Sequence, residues 1–292
     1  DEFIKKVSEI ILYAKSEGLE IWLEAKPTEP PEVGMLSSWL EYDGGTVKQC
    51  CSPERSPFDY TNSAVLIDSV LERYKSGLSK EAYGYLAGFT SEVPDFSGQD
   101  SEYPAVPWYD ELETEYTEEF DGDIFSNLKS LFEDNEDASE FKAWYWQKIT
   151  DRMGETALIS EWCKENEKGY FPQIKTNANP YSQVLQTGSA LQYLRRFNLP
   201  SVSFSGKTAV SHFLPVSVSS LAKQFGSGTA GASVLGGLGW GIRPGEFEEY
   251  MTRLIECGIN MFVFHTSFLH LNYKSLSRNQ ISFPTHITWK KV

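Results

Sequence analysis

The sequence predicts an α/β fold, a (β/α)8 TIM-type barrel that is incomplete at its ends and carries long βα loops. Three observations point there. Between residues 169 and 265, short apolar segments alternate with segments of helical spacing, the signature of parallel βα units. Two long Pro-rich stretches, 24–63 and 91–111, each follow a predicted strand, and loops of that length in an α/β domain carry function or small local structure. The chain also opens on a helix followed by a strand, so the preceding strand of that unit is expected before Asp1. The 292 residues are therefore expected to be one barrel domain, an excerpt of a longer multidomain chain. The alternation suits an open doubly wound sheet as well. In either fold, ligands sit beyond the C-terminal ends of the strands.

The elements follow in order. Phe3, Val7, Ile10, Ile11 and Ala14 make one apolar stripe on a first helix that stops at Gly18. LEIWL (19–23) reads as a strand, and the loop after it holds Pro27, Pro30, Pro31, Pro53, Pro57 and Gly44–Gly45. Residues 64–74 are expected to be a helix with Val65, Ile67, Val70 and Leu71 partly buried, and 83–90 a strand. After the second long loop come helices near 112–120 and 124–132, then one long helix over 140–167 with Phe141, Trp144, Tyr145, Ile149 and Met153 inward. The strands GYFPQI (169–174), PSVSF (200–204), AGASVL (230–235) and INMFVFH (259–265) complete the pattern. Phe247, Met251, Leu254 and Ile255 mark the last helix between them.

Composition narrows the function. The net charge of −15 repels phosphate backbones, so nucleic acid is excluded as a partner, and an anionic membrane is disfavoured. No run of apolar residues is long enough to span a bilayer. Aromatics at 14% suit sugar binding, although most such rings serve packing. Eight carboxylates fall within 110–123. A solvated helix face explains them, while a Ca2+ site is the sharper alternative, without EF-hand spacing to support it. Cys50, Cys51, Cys163 and Cys257 form no CxxC pair, so zinc is not indicated and no metal-binding residue is assigned.

Glu92, just past a strand in FTSEVP, is the best catalytic candidate, with a loop cap or ion pair as the equal alternative. Glycoside hydrolysis needs a second carboxylate. Glu24 after LEIWL qualifies, with Asp95, Asp110 and Glu111 as loop alternatives. The later strand ends carry Lys175, Asn177, Ser203, Ser205, Ser233 and His265 instead, groups that bind hydroxyls well and transfer protons poorly. Trp22, Trp108, Tyr109, Gln173, Trp240 and His265 are the expected substrate contacts near the mouth. There is no GxSxG elbow, no P-loop, and the Gly-rich run 226–241 reads as a strand between tight turns.

FTSEVP, IFSNLKSLFED (124–134), ISEWCKENEKGYFPQ (159–173) and the run from SSLAKQFG to FVFHTSF together resemble the catalytic barrel of α-L-rhamnosidase-type glycoside hydrolases, family 106 and its relatives. The resemblance spans roughly residues 19–268. It implies a (β/α)8 barrel working on carbohydrate at the cell surface or outside the cell, linked to other modules, with Ca2+ admitted near the site. Three departures stand out. This chain has Ser91-Glu92 where the family tends to an Asp-Glu pair, Pro200-Ser201-Val202-Ser203 where it tends to Pro-Glu-x-Glu, and Ser233 where a glutamate precedes the Gly-Trp block. The resemblance with those losses implies a divergent shell, a pseudoenzyme or glycan-binding unit, with an active exo-glycosidase using Glu92 as general acid as the alternative.

Overall fold

The computed structural model describes residues 2–25, 36–55, 63–92, 103–133, 138–154, 157–175, 183–185, 188–205, 212–236 and 243–264. Six strands form one wholly parallel sheet: β1 (Trp22–Glu24), β4 (Gly88–Glu92), β6 (Gly169–Lys175), β7 (Ser201–Ser205), β8 (Gly231–Gly236) and β9 (Met261–Phe264). They stand side by side in chain order, β1-β4-β6-β7-β8-β9. A doubly wound sheet reverses direction at a switch point; this one never does, which is the winding of a barrel wall. Among the described residues the sheet curls as part of a barrel wall of the TIM type. Among the described residues, no hydrogen-bonded pair joins β9 back to β1.

The same local device recurs where helices hand over to strands. The first helix, α1 (Glu2–Ser16), buries Ile4, Ser8, Ile11 and Ala14 and ends as Leu19 N–H donates to the Ala14 carbonyl (2.9 Å), with Gly18 at φ +71°. This six-to-one closure needs a left-handed residue, which glycine supplies without a Cβ penalty. Gly258, at φ +89°, does the same for the helix Pro244–Glu256, where Ile259 N–H reaches Leu254 (3.0 Å). Glu167 takes the role at φ 56° after Ala157–Glu165, with Lys168 N–H on Cys163 (2.7 Å). In each case the next strand starts within a few residues.

The second helix, α2 (residues 63–77), runs α, then one π turn over Ile67–Leu71, then α again, and buries Val70 and Leu71. The expected strand at 83–90 is corrected. Ser79 accepts from Ala82 N–H (3.2 Å) and caps a short helix, α3 (Lys80–Tyr85), so the strand begins at Gly88. The single long helix expected over 140–167 is two, α5 (Ser139–Met153) and α6 (Ala157–Glu165), parted at Gly154. The helix expected at 124–132 is a pair of 3-10 turns after α4 (Glu111–Phe120), the first capped by Asp123 accepting from Phe125 N–H (3.0 Å). Helices α7 (Ala190–Leu194), α8 (Phe213–Phe225) and α9 (Pro244–Glu256) follow.

The two long loops are not structureless. From the first come β2 (Leu36–Tyr42) and β3 (Val47–Arg55), and from the second β5 (Ala105–Trp108); the three pair antiparallel in the order β3-β2-β5. Because β1 and β4 are neighbours in the barrel wall, the connections leaving their C-terminal ends start side by side and can share one accessory sheet. Leu40, Val106 and Trp108 bury its inner side.

The hydrophobic layer between sheet and helices sets which side chains face inward. Phe89 is fully buried, edge-on to Trp162 (6.1 Å) and beside Tyr74 (6.0 Å), both on helices. Tyr170 packs on Phe197 (5.7 Å), and Val202, Ala232 and Val234 join Val218, Ala222 and Leu254 in the same core. Burying each large apolar side chain in this layer contributes about 1.5–3 kcal/mol. Strand residues alternate sides, so Trp22, Gly88, Thr90, Gly169, Phe171, Gln173, Ser201, Gly231 and Ser233 face the other way, into the barrel.

Candidate functional site

The inward positions change character along the strands. At the N-terminal ends, the Trp22 indole lies over Gly88 and Gly169, and a Cβ placed on either glycine would fall within 3 Å of its ring atoms. Phe171 closes on Gly231 in the same way. This end is a packed floor, because only residues without a Cβ let the large rings cross from strand to strand. Trp22 is thus part of the floor and stands apart from the strand ends where a substrate contact was expected.

Toward the C-terminal ends the inner face turns polar. Gln173, buried at 8% exposure, donates from Nε2 to Thr90 Oγ1 (2.8 Å), and Thr90 Oγ1 donates to the Phe171 carbonyl (2.9 Å). Register pairs Glu24 with Thr90, and Glu92 with Gln173. In-register residues of parallel strands share a face, and residues two apart on one strand share it too. Positions 24, 90, 92 and 173 therefore occupy one face on three adjacent strands. From strand spacing and rise, the Cα atoms of Glu24 and Glu92 lie roughly 8 Å apart. Glu24 is exposed, and its charge reaches the Tyr74 phenol. Burial holds that phenol above its ordinary value, Arg73 opposes the rise and Glu24 adds to it. Glu92 closes β4; its side chain lies outside the described set.

Further along the wall the polar groups are hydroxyls. Ser201 donates to the Pro172 carbonyl, Ser203 pairs in register with Ser233, and both Ser201 and Ser233 are fully buried. On the outer side, the hydroxyls of Ser91 and Tyr170 lie 2.6 Å apart, and burial pushes the Tyr170 phenol well up.

The other expected contacts scatter. Trp108 is 2% exposed and packs beside Phe125 (6.2 Å). Tyr109 is 4% exposed, donates to Glu115 (3.3 Å) and lies under the Arg152 guanidinium at 5.4 Å. Burial, with the Glu115 charge behind it, pushes its phenol up. These two rings pack in the core. Asp95, Asn177, Trp240 and His265 lie outside the described residues. Thr90, which ties Gln173 to β4, was not singled out; its spacing of two before Glu92 was the available signal.

The acidic stretch is a salted helix face: Lys148 meets Glu115 (3.1 Å) and Glu119 (3.3 Å), and Arg152 approaches Glu111 (3.8 Å). Among the described residues no three His, Cys, Asp or Glu side chains gather as a metal site. The Ca2+ expectation thus has no described carboxylate cluster to rest on. No helix among them is long and apolar enough to cross a membrane.

Against known proteins, the fold is similar to the catalytic domain of β-amylase from Paenibacillus polymyxa, with a TM-score of 0.53 and 12% identity over 87% of this chain and 78% of that one. At that identity the likeness establishes the barrel and nothing finer. No protein-family profile matches the chain, and no curated protein sequence matches it. The rhamnosidase resemblance therefore gains no support beyond a shared barrel architecture.

Proposed function

We propose that the chain is a carbohydrate-binding barrel of glycoside hydrolase type whose acid/base set is depleted. One observation carries the reading: toward the strand ends the inner face carries Gln173 on β6 and Ser203 on β7, with Ser233 buried beside Ser203 on β8, amide and hydroxyl groups rather than carboxylates. Such groups recognise sugar hydroxyls, while the proton transfers of hydrolysis require acids of suitable pKa. The likeness to a β-amylase catalytic domain supports carbohydrate as the ligand class. An extracellular or cell-surface setting, beside other modules of a longer chain, goes with this reading.

A second reading is favoured by one specific feature. Glu24 and Glu92 share a face on adjacent strands, and their Cα spacing of roughly 8 Å admits the carboxylate separations of about 5–10 Å that glycoside hydrolysis uses. In that reading Glu92 protonates the leaving oxygen and Glu24 is the base or nucleophile of an α-L-rhamnosidase-like exo-glycosidase. Hydrolysis of an aryl α-L-rhamnoside and of a maltooligosaccharide, followed beside Glu92→Gln and Glu24→Gln, decides between the two. Turnover lost in both variants establishes the second reading and ends the first. Saccharide binding without turnover, weakened by Gln173→Ala, supports the first.

A further inference from the structure

Helix α4, the 3-10 turns after it and the first turn of α5 enclose a surface cavity of about 450 Å³, a size suited to a small ligand. One wall is a set of interlocked rings. Tyr116 and Phe120 lie 4.9 Å apart, and Phe141 stands edge-on to Tyr116 at 5.6 Å. Trp144 backs both Tyr116 and Phe120, at 5.0 and 5.8 Å. Tyr116 and Phe141 are buried, whereas Phe120 is 39% exposed. A large flat ring is thus held to solvent on a rigid aromatic base. Trp144 Nε1 donates to Glu119 (2.9 Å), which fixes that base from behind.

The facing wall is polar. Asn127 Nδ2 donates to the Tyr116 hydroxyl (3.0 Å) and to Ser126 Oγ (3.2 Å). The phenol has one proton of its own to give. Among the described residues that proton has no acceptor, and the Asn127 side-chain oxygen receives no donor. One donor and one acceptor therefore remain, preset by an existing hydrogen bond, in the same cavity as the exposed ring. Lys129 and Glu133, paired at 3.1 Å, stand at the rim.

We propose that this cavity is a saccharide-binding site: a pyranose stacks its C–H face on Phe120, while its hydroxyls meet the Tyr116 O–H and the Asn127 side-chain oxygen. A ring face paired with a few fixed polar groups is the general make-up of a site for an amphipathic small molecule. The net charge of −15 disfavours an anionic guest, so a neutral sugar suits the site better than a phosphorylated or acidic one. None of the lining residues belongs to the parallel sheet, so the site does not rest on the reading of the strand ends.

Isothermal titration of the full chain with maltohexaose and with cellohexaose tests the site. At least one sugar is expected to bind, and Phe120→Ala and Asn127→Ala are each expected to weaken it tenfold or more. Phe120 is exposed enough for its truncation to leave the fold intact, which circular dichroism checks. Tyr116→Phe keeps the ring, removes the donated proton and is expected to weaken binding severalfold. Phe225→Ala, which truncates an exposed ring at the end of α8 and outside the cavity, is expected to leave this binding unchanged. Failure of both sugars to bind overturns the proposal, as does binding indifferent to Phe120 and Asn127. If Gln173→Ala alone abolishes binding, the cavity site is refuted and the strand-end site stands.

Discussion

Gly169→Ala tests the floor of the barrel and the inward placement of Trp22 together. The new Cβ would lie 2.4 Å from Trp22 Cη2 and 3.0 Å from Cζ3, against about 3.5–4.0 Å for carbon atoms at their optimum. The indole must move by about an ångström, and it is a rigid ring over two strands. Overpacking of this kind costs about 1–3 kcal/mol, and we expect about 2. Trp22→Leu removes the offending ring and leaves a void, so it destabilises on its own. In the double variant the two defects fill one another, and the cycle is expected to show about 1–2 kcal/mol of favourable coupling. Gly88 supplies the control. A Cβ there meets the Gly169 carbonyl oxygen at 2.3 Å as well as Trp22 at 2.7 Å, and a backbone clash is not relieved by a smaller side chain at position 22. Urea unfolding followed by circular dichroism, with the m-value held in view, yields all the terms. Additive effects of Gly169→Ala and Trp22→Leu, or equal rescue at Gly88, would refute the inward packing.

Three further outcomes follow from the same structure. Thr90→Val removes the hydroxyl that accepts from Gln173 and donates to Phe171, so stability is expected to drop by about 1–3 kcal/mol in urea unfolding, with Thr90→Ser close to the parent. Asp43 accepts from Lys48 (2.8 Å), Thr46 N–H (2.9 Å) and Gly45 N–H (3.1 Å), with Lys48 the largest influence, and its carboxyl is held down at about 2. A depressed carboxyl supports its turn fully above the unfolded value near 3.9, and that support fades as pH falls through about 2. A carboxyl NMR titration should show the low midpoint, and Lys48→Met should raise it. Among the thiols, exposed Cys51 should label first in the native protein. Cys163, buried and with its thiol pushed up to about 12 by burial, should label only on unfolding; rapid native labelling of Cys163 would contradict its placement.

Several features were legible because they are written locally. Strands β6, β7 and β8 lie within a residue of the apolar runs that announce them, and Gly18 ends α1 where a left-handed residue was needed. Glu92 falls at a strand end, as its position after FTS implies. The misreadings are equally local in cause. Residues 83–85 alternate like a strand, but the Ser79 cap makes them helical. The pattern over 140–167 reads as one helix, yet its first segment ends at Met153 with Gly154 as the C-cap residue. Trp108 and Tyr109 resemble sugar platforms by composition, yet burial against the helices makes them core.

Taken alone, the amino-acid order determined the alternation of strands and helices, the caps between them and the scarcity of carboxylates at the later strand ends, because each is set by neighbours a few residues away. Tertiary structure alone decided that two distant loops pair as one sheet, that Trp22 roofs two glycines some 66 and 147 residues further on, and that positions 24, 90, 92 and 173 meet on one face. The reason is physical. Helix periodicity and turn chemistry act within a handful of residues, whereas strand register and ring packing join segments whose closeness exists only once the chain has folded.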